Sequence, residues 1–171
     1  QFGDDAKIAA QIHEHTAAVR TRMAGIKRKI LVMSGKGGVG KSTITAHLAM
    51  ALAARGNRVG VLDVDFNGPC LPKLLGLNGQ SLEFGAKGAV PIEGPLGMKI
   101  ASLDFLLKNG SPTRWNGPME LSPVWLGTLE YTVLRELLAD VLWGELDWWL
   151  ADLPPGAAVP PRGDRGIRPP Q

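Results

Sequence analysis

The sequence predicts an α/β domain with a mostly parallel sheet flanked by helices, and three observations carry that expectation. Ile30-Leu31-Val32-Met33 is a short apolar run of the kind that forms a buried parallel strand. It leads into the glycine-rich stretch Gly35 to Thr43, followed by a segment whose apolar residues recur at helical spacing. Val59-Gly60-Val61-Leu62 makes a second buried run that ends in Asp63-Val64-Asp65. Strand, glycine loop, helix and strand, in that order and at that length, form the unit from which such sheets are built.

The loop carries the chemistry. Gly35, four intervening residues and Gly40-Lys41-Ser42 satisfy the phosphate-loop pattern G-x-x-x-x-G-K-[ST]. Glycines let the backbone curl until several N–H groups point inward at phosphate oxygens. Lys41 adds a positive charge for the β- and γ-phosphates, and the Ser42 hydroxyl is placed to hold Mg²⁺. The following helix directs its positive end at the same phosphates. Gly35, Lys36, Gly37, Gly38, Val39, Gly40, Lys41, Ser42 and Thr43 are therefore the expected nucleotide-binding residues, and the expected fold is that of a P-loop NTPase.

In chain order, Ile8, Ile12 and Val19 suggest a modest amphipathic helix over residues 4–23, which Gly25 breaks before the first strand. His13 and His15 lie two apart on that helix, so they share no face and are read as surface histidines rather than metal ligands. Ile44, Leu48, Ala49 and Leu52 supply the apolar face of the helix after the loop, and Gly56 stops it. Asn67-Gly68-Pro69 is turn chemistry, and Pro72 suits the first turn of a short helix that Gly76 ends. Cys70, beside this turn, is expected to be a small buried residue. Residues 78–97 read as a small hairpin, and Met98 to Ser102 as a third strand.

Residues 109–123 are loop-like, with Trp115 closing over the core. Leu126, Leu129, Val133, Leu137 and Val141 mark a long helix, and residues 147–152 a further buried strand ending in Asp152. Ligands of open α/β sheets bind at such strand ends, so Asp152 is the expected Mg²⁺-supporting acid. Asp63 and Asp65, at the end of the strand beside the loop, should bring at least one carboxylate to the γ-phosphate. From Pro154 the composition turns to Pro, Gly and Arg, and the tail is expected to be disordered. The chain thus divides into a helical extension (1–25), a P-loop domain (26–157) and a tail (158–171).

Composition narrows the function classes. The 171 residues are 44% apolar and 20% charged, ordinary for a soluble globular domain. A formal charge of +3 is too mild to argue for nucleic acid. One cysteine excludes an intrachain disulfide scaffold. No apolar run is long enough to span a membrane and no signal peptide is visible, so a cytoplasmic setting is expected.

Lys36 is the more specific signal, because a generic phosphate loop needs no lysine after its first glycine. Gly35-Lys36-Gly37-Gly38-Val39-Gly40-Lys41-Ser42-Thr43 resembles the deviant Walker A motif of the MinD/ParA superfamily. Asp63 through Pro69, Pro72-Lys73, Leu75-Gly76, Trp115 through Met119, Leu142 through Asp147 and Asp152 through Gly156 together resemble the Mrp/ApbC group of iron–sulfur cluster carrier ATPases. The resemblance implies an ATP-sandwich homodimer in which Lys36 reaches the partner's nucleotide, and an Asp65 that orients the attacking water. Lys36, Lys41 and Asp65 become the expected catalytic residues, with Ser42 and Asp152 holding Mg²⁺. It also implies a [4Fe-4S] cluster held by a C-x-x-C pair, and iron–sulfur client or scaffold proteins as partners. That pair and the family's later strands do not occur in this sequence, and Cys70 alone cannot replace four thiolates. The expected fold therefore lacks its C-terminal strands. Two other readings stand beside the ATPase: a non-catalytic truncated nucleotide-binding fragment, and a partition or positioning ATPase of the ParA/MinD type.

Overall fold

The computed structural model describes residues 16–65, 68–107 and 137–156. Their centre is a five-stranded sheet in the order β1-β7-β2-β6-β5. β1 (Ile26–Val32), β2 (Val59–Asp63), β6 (Lys99–Ser102) and β7 (Leu146–Asp152) run parallel, and the short β5 (Ile92–Glu93) joins β6 antiparallel. β3 (Glu83–Gly85) and β4 (Gly88–Val90) form the hairpin expected within 78–97. The helices are α1 (16–23), α2 (Lys41–Ala54), α3 (Leu71–Leu74), α4 (Asp104–Leu107) and α5 (137–140). The long helix expected from 126 is described only over α5. The Trp115 loop, His13, His15 and the tail lie outside the described residues.

β2 is buried along its whole length because β7 and β6 flank it and both faces are covered. A continuous apolar run is what such a strand requires. Its Gly60 is a packing requirement: a Cβ there would lie 2.5 Å from Leu146 Cδ1 and 3.0 Å from the ring of Trp143. The fully buried Trp143 stands edge-on to Trp149, with ring centroids 5.9 Å apart. At the amino end of β7, Asp147 accepts bonds from the Arg58 backbone N–H (3.0 Å), the Arg58 side chain and Lys27 Nζ (2.8 Å). The Arg58 guanidinium first, and then Lys27, hold its carboxyl well below the usual range.

The structure corrects three sequence expectations about packing. β1 is parallel as expected but not buried. Among the described residues it pairs only with β7, and Leu31 is 54% exposed. The strand ending in Asp63 does not neighbour β1, because β7 is inserted between them. On α2 the buried side chains are Lys41, Thr45, Ala46, Ala49 and Ala53, whereas Ile44 is 59% exposed. Lys41 sets this rotation. It must point at the strand ends, so positions four, eight and twelve residues on face the sheet with it. Alanines there allow close approach, while Leu48 and Leu52 pack at the margin.

Beyond the strand ends, backbone bonds knit the loops together. Leu153 N–H donates to Val32 O (3.1 Å), Val64 N–H to Asp152 O (3.1 Å) and Gly156 N–H to Ser34 O (2.8 Å). Residues from β1, β2 and β7 are thereby gathered at one end of the sheet. α1 is tied to α5 through Arg22, whose Nε donates to Ala139 O (2.9 Å).

Candidate functional site

The site is built where the carboxyl ends of β1, β7 and β2 meet the first turn of α2. The glycine loop leaves β1 and enters α2 through Gly40, whose φ of 88° places it in the left-handed region; Gly38 has φ of 73°. L side chains are strained at both positions. A Cβ built at Gly35, Gly37, Gly38 or Gly40 meets no protein atom within 4 Å. These glycines therefore make no room for the protein's own side chains. The room lies on the loop's open side, as a backbone cradle for an external group requires. Ser34 Oγ braces the loop by donating to Lys36 O (3.0 Å).

Lys41, only 8% exposed, reaches inward from the first turn of α2. Its Nζ lies 2.6 Å from Asp152 Oδ1 and 3.4 Å from Asp65 Oδ2. Thr45 is one helical turn further on and fully buried. Its Oγ1 lies 3.0 Å from Lys41 O and 3.4 Å from Asp152 Oδ1. Asp152 Oδ2 is buried with no hydrogen-bond partner. A buried, acceptor-only oxygen left in that state is costly, and a cation or a cation-bound water would satisfy it.

Asp63 is also fully buried. Its Oδ1 accepts the Asp65 N–H (3.1 Å), and its Oδ2 accepts the Leu71 N–H (3.2 Å) and lies 3.5 Å from Ser102 Oγ. Burial pushes its carboxyl up to about 7, against the pull of the Asp65 N–H and with a further push from the charge on Asp152. A raised carboxyl binds a proton in the folded chain that the unfolded chain releases. This contribution is fully present below about pH 4 and is lost as pH rises through 7, an effect of up to about 4 kcal/mol. Thermal melts without nucleotide or Mg²⁺ should show the stability of Asp63→Asn gaining on the parent between pH 4 and 7.5. Parallel pH profiles would refute this assignment.

The structure thus brings together four of the residues singled out in the sequence: Lys41, Asp63, Asp65 and Asp152. Ser42 is half-buried on the first turn of α2, with Thr43 exposed beside it. Lys36 and Val39 are exposed on the loop and do not join the buried cluster. Cys70 is exposed rather than buried, because its backbone caps α3 while the neighbouring Leu71 takes the core position. Among the described residues, no group of three or more His, Cys, Asp or Glu side chains could hold a metal ion. Sequence reasoning missed Thr45. The signal was present, since a hydroxyl four residues after Lys41 must share its helix face. Two carboxyl groups on one ammonium, with Asp63 buried close by, disfavour a bare anion and favour an anion that arrives with a divalent cation.

A glycine cradle at a helix start, one buried lysine and strand-end carboxylates on a parallel sheet define a P-loop NTPase. Within that class, the model of a family described as ParA, NUBPL iron-transfer P-loop NTPase, matches residues 25–159, and the chain belongs to this family. An iron-sulfur cluster carrier protein of Saccharolobus solfataricus is 46% identical over 151 residues, covering 88% of this chain and 48% of the relative. A cytosolic Fe-S cluster assembly factor, CFD1 of Eremothecium gossypii, is 42% identical over 138 residues, covering 78% of this chain and 46% of the relative. Among solved structures, a nucleotide-binding protein from Archaeoglobus fulgidus, in complex with ADP and with cobalt found in it, superposes with a TM-score of 0.67. It is 41% identical and is matched over 82% of this chain and 49% of its own. The chain thus spans about half the length of the relatives it matches. Among the described residues no helix is long and apolar enough to cross a membrane.

Proposed function

We propose that these residues bind and hydrolyse Mg-ATP in the service of iron–sulfur cluster assembly, in a cytosolic setting like that in the relatives' names. The observation that carries the reading is the unpartnered buried Asp152 oxygen beside Lys41 at the mouth of the glycine cradle. The amides of Gly35 to Thr43 and the Lys41 ammonium bind the β- and γ-phosphates. Ser42 and Asp152 would hold Mg²⁺ when it is bound. The ion supplies neutralisation of the charge on the phosphate oxygens. Asp65 orients water for attack on the γ-phosphorus; the bond to the bridging oxygen breaks and ADP leaves. Lys36, exposed on the loop, reaches the nucleotide of a second copy in a homodimer and neutralises charge there.

The cluster itself is cargo. Cys70 is the only cysteine of the 171 residues and cannot supply the usual four thiolates even in a dimer, so the part assigned to these residues is the nucleotide part. Iron–sulfur client proteins are the partners this reading calls for. The direct test is a thermal melt of the purified chain. Mg-ATP at about a hundred times its dissociation constant should raise the midpoint by about 5–10 °C, and EDTA should remove most of the rise. A midpoint indifferent to Mg-ATP would refute the nucleotide site. Binding without any release of phosphate would leave a non-catalytic nucleotide-binding fragment.

A further inference from the structure

We infer that Asp63 is a positioning residue, whose buried carboxyl clamps the two ends of the segment that presents Asp65 to the nucleotide. The inference rests on the role proposed above for Asp65 and deepens it. Asp63 ends β2, the strand paired on both sides, so its backbone cannot drift: Asp63 pairs with Ser102 of β6 and with Asp152 of β7. Its side chain is therefore a fixed post. Onto that post fold the Asp65 N–H, two residues on, and the Leu71 N–H, at the start of α3. Two points of the chain, just beyond β2 and at the start of α3, are thereby held to the same carboxyl.

The third neighbour, Ser102 Oγ, ends β6 and accepts the Asp104 N–H (3.2 Å). One carboxyl thus gathers the ends of β2 and β6 and the beginning of α3. The two N–H groups reach different oxygens of the carboxyl, so a side chain with one oxygen would leave one of them without its acceptor. An apolar residue would suit so buried a place better unless those two bonds matter, because a buried carboxyl is costly to desolvate. What they hold in place is Asp65, whose Oδ2 lies on the same ammonium as Asp152. An Asp65 backbone released from the clamp can still approach Lys41, but no longer in one orientation, and water aimed at phosphorus tolerates little misplacement.

Asp63→Asn tests this, because an amide keeps the shape and one acceptor but turns a donor toward the second N–H. Amide hydrogen exchange at Asp65 and Leu71 should speed up by about tenfold or more, with the amides of β2 and β6 unchanged. In steady-state assays kcat should fall about a hundredfold, while KM for ATP stays within about twofold and the Mg-ATP melt shift is retained. Unchanged exchange or unchanged turnover would overturn the inference. So would faster exchange spread through β2 and β6 with binding lost, which marks a general structural role. A parent that releases no phosphate overturns the hydrolytic reading and the part given to Asp65, while the exchange rates still decide whether the clamp exists.

Discussion

Lys36→Ala is expected to lower ATP turnover about a thousandfold, the low end of what a charge supplied to a phosphoryl transfer from outside the site contributes. Lys36 is exposed on the loop, whereas Lys41 alone occupies the buried acid cluster. Truncating an exposed side chain should leave the melting temperature and the Mg-ATP shift close to the parent's. The loss should therefore fall on kcat and not on binding. Mixing provides the sharper measurement. Lys36→Ala protein and Asp65→Asn protein, each inactive alone, should regain turnover when combined, since a mixed dimer pairs an intact Asp65 with a partner's intact Lys36. Turnover undiminished in Lys36→Ala would refute the role, and inactive mixtures would confine Lys36 to its own subunit's nucleotide.

Lys41→Ala should be damaging even where no nucleotide is present. The lysine is the counter-charge of a fully buried carboxylate at 2.6 Å, and its removal strands Asp152 in the interior. Breaking one partner of a buried pair costs about 3–5 kcal/mol. Urea denaturation should show that loss, and the Mg-ATP response should vanish with it. Adding Asp152→Asn to Lys41→Ala should recover part of the stability but none of the response, because the stranded charge is gone while the phosphate partner is still missing. A Lys41→Ala chain as stable as the parent would show that the pair contributes nothing to the fold.

Much of the site was legible because its parts are local. The glycine pattern, Lys41 at the helix start and the acids closing apolar runs each lie within a few residues of the element that positions them. The short helix with Pro72 in its first turn, the 78–97 hairpin and the strand ending in Asp152 were legible for the same reason. What failed was set by distant neighbours. Ile44 turned outward because Lys41 fixed the rotation of α2, which apolar spacing alone does not reveal. Leu31 stayed exposed because β1 is covered by β7 on one side only among the described residues. Cys70 lies at the surface because Leu71, one residue on, is the side chain the core takes. The coupling of Asp63 to Leu71 depends on how the chain returns after β2, and no periodicity encodes that.

The insertion of β7 between β1 and β2 has a consequence for how the chain comes into being. Among the described residues, the strand that launches the glycine loop has no hydrogen-bonded neighbour in the sheet except one that lies far along the sequence. As the polypeptide leaves the ribosome, β1, the loop, α2 and β2 emerge before β7, yet they cannot close a sheet among themselves. Asp152, the charge partner of Lys41, arrives on the same late strand. Among the described elements the nucleotide cradle is therefore completed only by β7, well after its glycine loop, and the seam between β1 and β2 stays open until residue 152 is in place. Long-range pairing of this kind is slow and leaves strand edges exposed meanwhile. Within that seam, the step that completes the site is also the step that protects the chain from sticking to its neighbours.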